Sequence, residues 1–226
     1  MYHVFKRFCD ILVSGLALLV LSPLLIPISI GLRITGEGYV FYLQERIGYK
    51  NRIFHIYKFA TMLKDSPNMP GGLITTKKDP RITPLGGFLR KSKINELPQL
   101  LNILKGDMSI VGPRPVMQKS FDQYPEDVKA VIYNVHPGLT GIGSVVFRDE
   151  EELITRVKVE GGDTWDYYRN VIYPRKGKLE KWYQENQSFL TDLKIIFLTA
   201  WVLFFPKSNL TANIFNGLPI DPAKDI

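Results

Sequence analysis

The most informative stretch of the chain reads Arg90-Lys-Ser-Lys-Ile-Asn-Glu-Leu-Pro-Gln-Leu-Leu-Asn-Ile-Leu-Lys-Gly-Asp-Met-Ser-Ile-Val-Gly-Pro-Arg-Pro115. Its apolar residues recur at spacings of three and four, which predicts an amphipathic helix. The predicted buried stripe consists of Ile94, Leu97, Leu101 and Leu104. Pro98 is tolerated only in the first turn of a helix, so the helix should begin a few residues before it and end at Gly106.

Polar and charged residues flank the predicted start of this helix. Asn95 and Glu96 lie at or near its N-terminus, where unpaired N–H groups and the helix dipole favour a phosphate group. Arg90 lies just upstream, and Arg114 lies downstream in a stiff Gly-Pro-Arg-Pro turn. Polar groups at a positively biased helix start, with arginines on both sides, predict a binding site for a di- or triphosphate ester.

The composition is that of one globular domain with anionic partners. The chain has 226 residues and a formal net charge of +7, which suits anionic membrane surfaces, phosphorylated substrates or nucleic acid. We expect no nucleic-acid partner, because the sequence has no aromatic and basic stacking pattern and no recognised nucleic-acid-binding module. Cys9 is the one cysteine, so no intrachain disulfide can form, and the three histidines are too scattered to predict a metal cluster.

The N-terminal segment is apolar over 22 residues, from Ile11 to Leu32. As a straight helix it would be about 33 Å long, enough to cross a hydrocarbon core of about 30 Å, and composition alone favours one spanning helix. Pro23 and Pro27 each remove a backbone hydrogen bond, so we expect a kink near Pro23, where the Ser22 hydroxyl is a candidate to satisfy the freed backbone. Because both ends are cationic, a segment that enters and leaves by the same face is the alternative.

The central stretch resembles the signature of the bacterial sugar transferases, the monotopic phosphoglycosyl transferases. That family has an Asp-Glu pair before Leu-Pro-Gln-Leu, followed by Lys-Gly-Asp-Met-Ser and Val-Gly-Pro-Arg-Pro; this chain matches nearly all of the pattern but reads Asn95-Glu96. The resemblance covers nearly the whole chain except about residues 144–187. It implies transfer of a sugar 1-phosphate from a UDP-sugar to polyprenyl (undecaprenyl) phosphate with release of UMP, the priming step of surface polysaccharide or lipopolysaccharide assembly.

The resemblance also implies the architecture and location. The family begins with Lys-Arg and an apolar segment with a Ser-Pro break, which forms a re-entrant helix-break-helix; Lys6-Arg7 and Ser22-Pro23 match it. We therefore predict a helix-rich α+β fold in a single compact domain. Residues 1–35 form the re-entrant membrane helix, and residues 36–226 form a catalytic domain docked by interfacial amphipathic helices on the cytoplasmic face of the bacterial inner membrane. Expected partners are the UDP-sugar, the polyprenyl phosphate, membrane lipid, a second copy of the chain and downstream glycosyltransferases.

Three basic residues upstream of the helix match positions of the family. Lys58 ends a predicted strand, and Arg81 and Arg90 lie in the basic segment that leads into the central helix. Without the resemblance, Lys58 is an exposed strand charge and the segment around Arg81 is a generic basic surface. The resemblance implies that Lys58, Arg81, Arg90 and Arg114 contact phosphate.

A late helix carries Asp192, which matches an acidic residue that the family directs toward the active site. Taken alone, Asp192 is equally well a first-turn charge favoured by the helix dipole. The apolar run from Ile195 to Phe205 has 11 residues, too few to span a membrane. With its aromatic residues the run predicts an interfacial helix, and a buried core helix is the competing interpretation.

The chemistry depends on the departure at Asn95. In the family the Asp attacks the β-phosphate and forms a covalent glycosyl-phosphoryl enzyme, and Mg²⁺ neutralises phosphate charge, with Glu96 as its natural ligand here. An amide is a poor nucleophile, although its oxygen can accept a hydrogen bond or ligate a metal ion. Three explanations are open: direct attack by the polyprenyl phosphate, attack by Glu96 or Asp192 instead, or an inactive member that binds nucleotide sugar or partners at the membrane. Because the motif is otherwise intact, we predict that activity persists.

Overall fold

The computed structural model describes residues 2–35, 37–66, 68–69, 79–205, 208, 210–215 and 217–220. Its strands are β1 (Phe41–Ile47), β2 (Ile53–Phe59), β3 (Ser109–Val111) and β4 (Gly138–Thr140). Its helices are α1 (Tyr2–Thr35), α2 (Pro84–Lys91), α3 (Gln99–Lys105), α4 (Gln118–Phe121), α5 (Glu126–Lys129), α6 (Ile142–Val146), α7 (Glu150–Val159), α8 (Thr164–Tyr167), α9 (Tyr173–Glu185), α10 (Phe189–Phe204) and α11 (Leu210–Ile214). Two-stranded sheets pair β1 with β2 and β3 with β4. Many helices with two small sheets confirm the predicted helix-rich α+β class.

The chain packs as two compact units, whereas we predicted a single compact domain. Unit 1 comprises Met1–Asp10, Arg46–Phe54 and Gly106–Ile226, and unit 2 comprises Ile11–Glu45 and His55–Lys105. Each unit buries its own apolar side chains. Unit 1 has a core that includes Ile142, Leu179, Ile195 and Leu198, and unit 2 has a core formed by Leu32, Phe59 and Leu89. The functional boundary predicted at residue 35 stays a prediction.

Helix α1 is continuous across the site of the predicted break. It runs from Tyr2 to Thr35 with both prolines inside it. Pro23 lacks the N–H that would bond the Leu19 carbonyl, and the Ser22 hydroxyl donates to that same carbonyl at 2.7 Å. The Ser22 hydroxyl thus serves the carbonyl that Pro23 leaves without a donor, and the helix continues where we predicted two helices.

The same helix is the one described segment with the length and composition to cross a membrane. Its most apolar 18-residue window has a mean hydropathy of 2.5, and only 6% of that window is buried. A soluble core helix would be mostly buried, so the exposure makes α1 a candidate membrane segment. The re-entrant path of this segment stays a prediction.

The central helix forms where it was predicted, but it buries a different face. A 3-10 turn at Ile94–Glu96 precedes Pro98, α3 follows, and Gly106 ends the helix with a φ of +98°. The predicted stripe of Ile94, Leu97, Leu101 and Leu104 is only half-buried. The fully or nearly fully buried positions are Asn95, Pro98, Gln99, Leu100, Asn102 and Ile103. The apolar spacing located the helix correctly, but its polar side chains decide which face packs inward.

Helix α10 combines the two interpretations offered for its apolar run. Ile195 and Leu198 are fully buried in the core of unit 1. The opposite face exposes large apolar side chains, namely Phe189, Leu190, Leu193, Ile196, Phe197 and Phe204. One face is thus a core face, and an exposed apolar face of this size on a surface helix indicates a further contact.

Candidate functional site

Lys58 and Glu96 form an ion pair within unit 2. Lys58 lies on β2, and Glu96 lies in the 3-10 turn that precedes α3. The Lys58 Nζ is 3.3 Å from the Glu96 Oε1, with side chains 16% and 25% exposed. The turn begins after Lys93, whose φ of 60° places it in the left-handed region. The structure therefore brings together two of the predicted site residues in a partly sheltered position.

Asn95 lies beside this pair with an unused acceptor. Asn95 is only 8% exposed, and its Oδ1 is buried with no hydrogen-bond partner among the described residues. An unsatisfied buried acceptor destabilises a fold by about 1–3 kcal/mol. An oxygen held in this state is suited to accept a hydrogen bond from a ligand or to coordinate a cation, which is the chemistry that the sequence left open for Asn95.

Asn102 joins α3 to the strand that carries Lys58. Its side chain is fully buried, its Nδ2 donates to the His55 carbonyl at 2.7 Å, and its Oδ1 accepts from the Tyr57 N–H at 2.9 Å. These two bonds take the place of hydrogen bonds from a neighbouring strand to β2. They also fix Lys58, the residue after Tyr57, relative to the turn that holds Glu96. Sequence reasoning missed Asn102; the signal was a polar residue in the middle of an otherwise apolar helix.

Arg81 is engaged by a neighbouring carboxylate. Its Nε donates to the Asp79 Oδ1 at 2.9 Å and its Nη2 donates to the Asp79 Oδ2 at 2.6 Å, with both side chains buried. The paired guanidinium lowers the pKa of Asp79 to about 2. A bidentate pair of this kind fixes the chain near Met62 and Ile82, which form an isolated β-bridge. Phosphate binding by Arg81 stays a prediction.

Arg90 lies in the last turn of α2 and is half-buried. The helix begins at a Thr83 cap, whose hydroxyl accepts from the Gly86 N–H at 3.1 Å. Gly86 is required there, because a Cβ at this position would lie 2.1 Å from the Thr61 carbonyl oxygen. The cap and this close approach determine where α2 starts and hence where Arg90 lies within unit 2.

Arg114 is the exposed residue of a buried turn in unit 1. The turn follows β3, which pairs in parallel with β4 in the register Ser109 to Gly138 and Val111 to Thr140. Three glycines allow the two backbones to touch: a Cβ on Gly138 or Gly141 would lie 2.1 Å from a backbone atom of Gly112. The tight crossing explains the glycines in these two segments, and Arg114 is exposed in the turn.

Tyr133 holds the same turn from one side. Its hydroxyl donates to the Arg114 carbonyl at 2.8 Å and accepts from the Val116 N–H at 3.1 Å. Burial raises the pKa of Tyr133, so the phenol keeps its proton and both bonds persist across the ordinary pH range. Phosphate binding by Arg114 stays a prediction.

Asp192 is surrounded by hydrogen-bond donors in unit 1. Its Oδ2 accepts from the Tyr2 hydroxyl at 2.8 Å and pairs with the Lys6 Nζ at 2.5 Å, and its Oδ1 accepts from the Tyr183 hydroxyl at 2.7 Å. Burial and the neighbouring carboxylate raise the pKa of Tyr183, which keeps it a donor. The network ties the first turns of α1 to α10. A catalytic role for Asp192 stays a prediction.

The described residues contain no group of three or more His, Cys, Asp or Glu side chains that could hold a metal ion. The donors that fit Mg²⁺ are the Glu96 carboxylate and the orphan Asn95 Oδ1. Mg²⁺ commonly takes one or two protein oxygens and completes its shell with water and substrate phosphates. The donor set is therefore adequate for a metal ion that arrives with a diphosphate and inadequate for a permanently bound one.

Comparison with known proteins identifies relatives over most of the chain. The profile of a family described as bacterial sugar transferase matches residues 1–206. A protein of Aeromonas hydrophila named UDP-N-acetylgalactosamine-undecaprenyl-phosphate N-acetylgalactosaminephosphotransferase is 35% identical over 203 residues, 88% of this chain and 43% of the relative. The undecaprenyl-phosphate galactose phosphotransferase of Salmonella typhimurium is 34% identical over 213 residues, 88% of this chain and 40% of the relative.

A shorter relative is matched over most of its own length. The exopolysaccharide production protein ExoY of Rhizobium meliloti is 35% identical over 209 residues, 86% of this chain and 83% of the relative. The chain thus spans about four tenths of the length of the two phosphotransferases and most of the length of the third protein.

Proposed function

Because the chain belongs to the bacterial sugar transferase family, we propose that it transfers a sugar 1-phosphate from a UDP-sugar to undecaprenyl phosphate and releases UMP. Support comes from relatives named as phosphotransferases acting on undecaprenyl phosphate. The observation that carries the proposal is the Lys58–Glu96 pair beside the orphan oxygen of Asn95 within the signature stretch. Relatives named for galactose, glucose and N-acetylgalactosamine show that the sugar varies, so the proposal leaves the sugar unspecified.

Phosphoryl transfer at this site requires neutralisation of the phosphate charge. Glu96 would hold Mg²⁺, with the Asn95 Oδ1 as a second oxygen ligand, and the metal ion would supply most of that neutralisation when bound. Lys58, which pairs with Glu96 in this structure, is within reach of any phosphate oxygen that approaches the carboxylate. Arg90 of the same unit is a further phosphate ligand.

The amide at position 95 favours a single displacement over a covalent intermediate. An oxygen of the acceptor phosphate attacks the β-phosphorus of the donor, and a new P–O bond forms there. The bond between the β-phosphorus and the oxygen that bridges to the α-phosphate breaks, and UMP leaves with that oxygen. Both carboxylate oxygens of Asp192 accept hydrogen bonds, which lowers its value as a replacement nucleophile.

The location proposed for the reaction is the cytoplasmic face of the bacterial inner membrane. Helix α1 has a membrane-compatible apolar window, and α10 exposes an apolar face that includes Phe189. Phe5 of α1 packs edge-on against Phe189 at 5.4 Å between ring centroids. Aromatic and aliphatic side chains in this arrangement suit the boundary between headgroups and acyl chains. Re-entry of α1, self-association and downstream glycosyltransferase partners belong to the same proposal.

The second candidate is a catalytically impaired protein that binds nucleotide sugar or partners at the membrane. The observation in its favour is Asn95 itself, because an amide cannot form the covalent intermediate expected of the family's Asp. In this case the donor would still bind through Glu96 and Lys58.

UMP release distinguishes the two candidates. The full chain in detergent micelles is given several UDP-sugars, undecaprenyl phosphate and Mg²⁺, beside the Asn95→Asp variant. Turnover by the unaltered chain supports the transferase and shows that Asp at position 95 is dispensable. Turnover by the variant alone identifies Asn95 as the lesion and favours the binding protein, and donor affinity measured on the same samples must then be retained. Absence of both turnover and donor binding would contradict both candidates.

A further inference from the structure

Glu180 is a buried acid that the proposed chemistry does not use. It lies on α9 in unit 1 and is only 4% exposed. Its carboxyl accepts hydrogen bonds from the backbone N–H groups of Arg114 and Gly143. Gly143 is needed for this approach, because a Cβ there would lie 2.3 Å from the Glu180 Oε1. A glutamate reaching across the interior to the backbone of the Arg114 turn therefore has a specific structural partner.

The second oxygen of the carboxyl differs from the first in its surroundings. Oε2 is buried without a hydrogen-bond partner among the described residues. Burial raises the pKa of Glu180 to about 8, even though Lys176 and the two N–H groups favour the ionised form. The raised pKa favours the neutral carboxyl at neutral pH.

The groups that face Glu180 are consistent with this state. Lys176 is the cation on the same helix, and it is also paired with Glu150. Tyr124 and Tyr133 face the carboxyl from other elements, and burial raises the pKa of both, so they remain neutral phenols. A neutral carboxyl among neutral phenols acts as a hydrogen-bond acceptor, whereas an ionised one would be a buried and only partly compensated charge.

The turn that carries Arg114 is thus held from two directions. Tyr133 bonds the Arg114 carbonyl and the Val116 N–H, and Glu180 bonds the Arg114 N–H. Prolines at positions 113 and 115 supply no N–H of their own. The flanks of the turn are also held by backbone bonds, from the Gly138 N–H to the Pro113 carbonyl and from the Ile47 N–H to the Val116 carbonyl, both 2.9 Å. The N–H and the carbonyl of Arg114 itself bond Glu180 and Tyr133.

We propose that Glu180 is a positioning residue for Arg114: its carboxyl holds the backbone of the turn, so that the Arg114 guanidinium is presented in the orientation that binds a phosphate of the donor. The orientation of the turn follows from the structure alone, and the phosphate as ligand rests on the proposed function. Because Glu180 is buried in the interior of unit 1, the effect of removing it should appear in donor binding before it appears in the chemical step.

Three variants on one helix test the proposal. Glu180→Met keeps the length of the side chain and removes the acceptor, and Glu180→Gln keeps the Oε1 acceptor and imitates the protonated acid. Glu185→Met is the matched control, because Glu185 is exposed at the end of the same helix. We expect about a tenfold rise in the KM for the UDP-sugar in Glu180→Met, with a smaller change in kcat, and KM near the unaltered value in Glu180→Gln.

A double-mutant cycle asks whether Glu180 acts through Arg114. The expected result is that Glu180→Met adds nothing to the KM of Arg114→Ala. Additive effects of the two changes, or a KM in Glu180→Met equal to that of Glu185→Met, would overturn the proposal. If Glu180→Met does not fold, Gly143→Ala replaces it, because the added Cβ displaces the carboxyl from the same N–H groups.

Amide exchange of the turn gives a readout that needs no donor. A peptide covering residues 112–116 reports only two amide N–H groups, those of Arg114 and Val116, since Gly112 becomes the terminal amine and the other two residues are prolines. We expect the Arg114 amide to exchange about tenfold faster or more in Glu180→Met, and unchanged exchange in Glu180→Gln. Unchanged exchange in Glu180→Met would overturn the proposal. Faster exchange in a protein that binds no donor would instead contradict the proposed function alone.

Discussion

Asp192 in unit 1 and Asn95 in unit 2 differ in how fully their side-chain oxygens are used. In unit 1, both Asp192 oxygens accept hydrogen bonds from donors on α1 and α9. In unit 2, Glu96 shares a 3.3 Å ion pair with Lys58 beside the orphan oxygen of Asn95. A carboxylate with every oxygen engaged is held in place and suited to join elements, whereas an unsatisfied buried oxygen lowers stability unless a ligand binds it. Asp192 therefore anchors helices of unit 1, and ligand binding beside Asn95 stays a prediction.

The largest effect expected from this comparison is on turnover through Glu96. Glu96→Gln keeps the shape of the side chain and removes the charge that would hold Mg²⁺, so we expect kcat/KM for UMP release to fall about a thousandfold. The loss should depend on metal: the variant should need a much higher Mg²⁺ concentration for half-maximal rate. An unchanged Mg²⁺ dependence would remove Glu96 from the metal site.

Whereas Glu96→Gln should lower turnover, Asp192→Asn should lower stability more than turnover. The change leaves Lys6 partly buried without its counter-ion, which we expect to destabilise unit 1 by about 3 kcal/mol. Thermal unfolding in detergent micelles measures this, and at a temperature well below Tm the folded fraction should retain most of its turnover. If Asp192 were the nucleophile, turnover would vanish with little change in Tm, and the distinction between anchor and site would fail.

The sequence predicted where the central helix lies more reliably than it predicted which groups its side chains contact. The central helix and its stop at Gly106 followed from apolar spacing and the glycine, because both are local properties of the sequence. The buried face of α3 was wrong, because Asn102 turns it inward to bond β2, and no apolar periodicity encodes such a bond. Glu180 was missed for a similar reason: its partners are backbone N–H groups far away in the sequence.

Glu180 lies between these two cases, because one of its oxygens accepts hydrogen bonds and the other has no partner among the described residues. Its titration should make the stability of the protein depend on pH. Its pKa is raised from 4.5 to about 8, so the native state binds the proton more tightly than the unfolded state does. This contribution to stability is fully present below about pH 4.5 and is lost as pH rises toward about 8. We expect the unaltered protein to lose about 5 °C of Tm relative to Glu180→Gln between pH 6 and pH 9. Parallel Tm profiles for the two proteins would show that Glu180 titrates normally.

The smallest expected effect concerns the Leu19 carbonyl, which lacks its usual backbone donor and accepts a hydrogen bond from the Ser22 hydroxyl instead. Ser22→Ala leaves the Leu19 carbonyl without a donor, because Pro23 has no N–H to offer, and we expect a loss of about 1 kcal/mol. Ser29→Ala is the matched control: the Ser29 hydroxyl also bonds a carbonyl, that of Leu25, but the Ser29 N–H is positioned to serve the same carbonyl in a regular helix. Its loss should therefore be only a few tenths of that value. Thermal unfolding of both variants in the same micelles gives the difference. Equal losses would mean that the Pro23 gap is satisfied by another group, and that a side-chain donor is not what keeps α1 continuous.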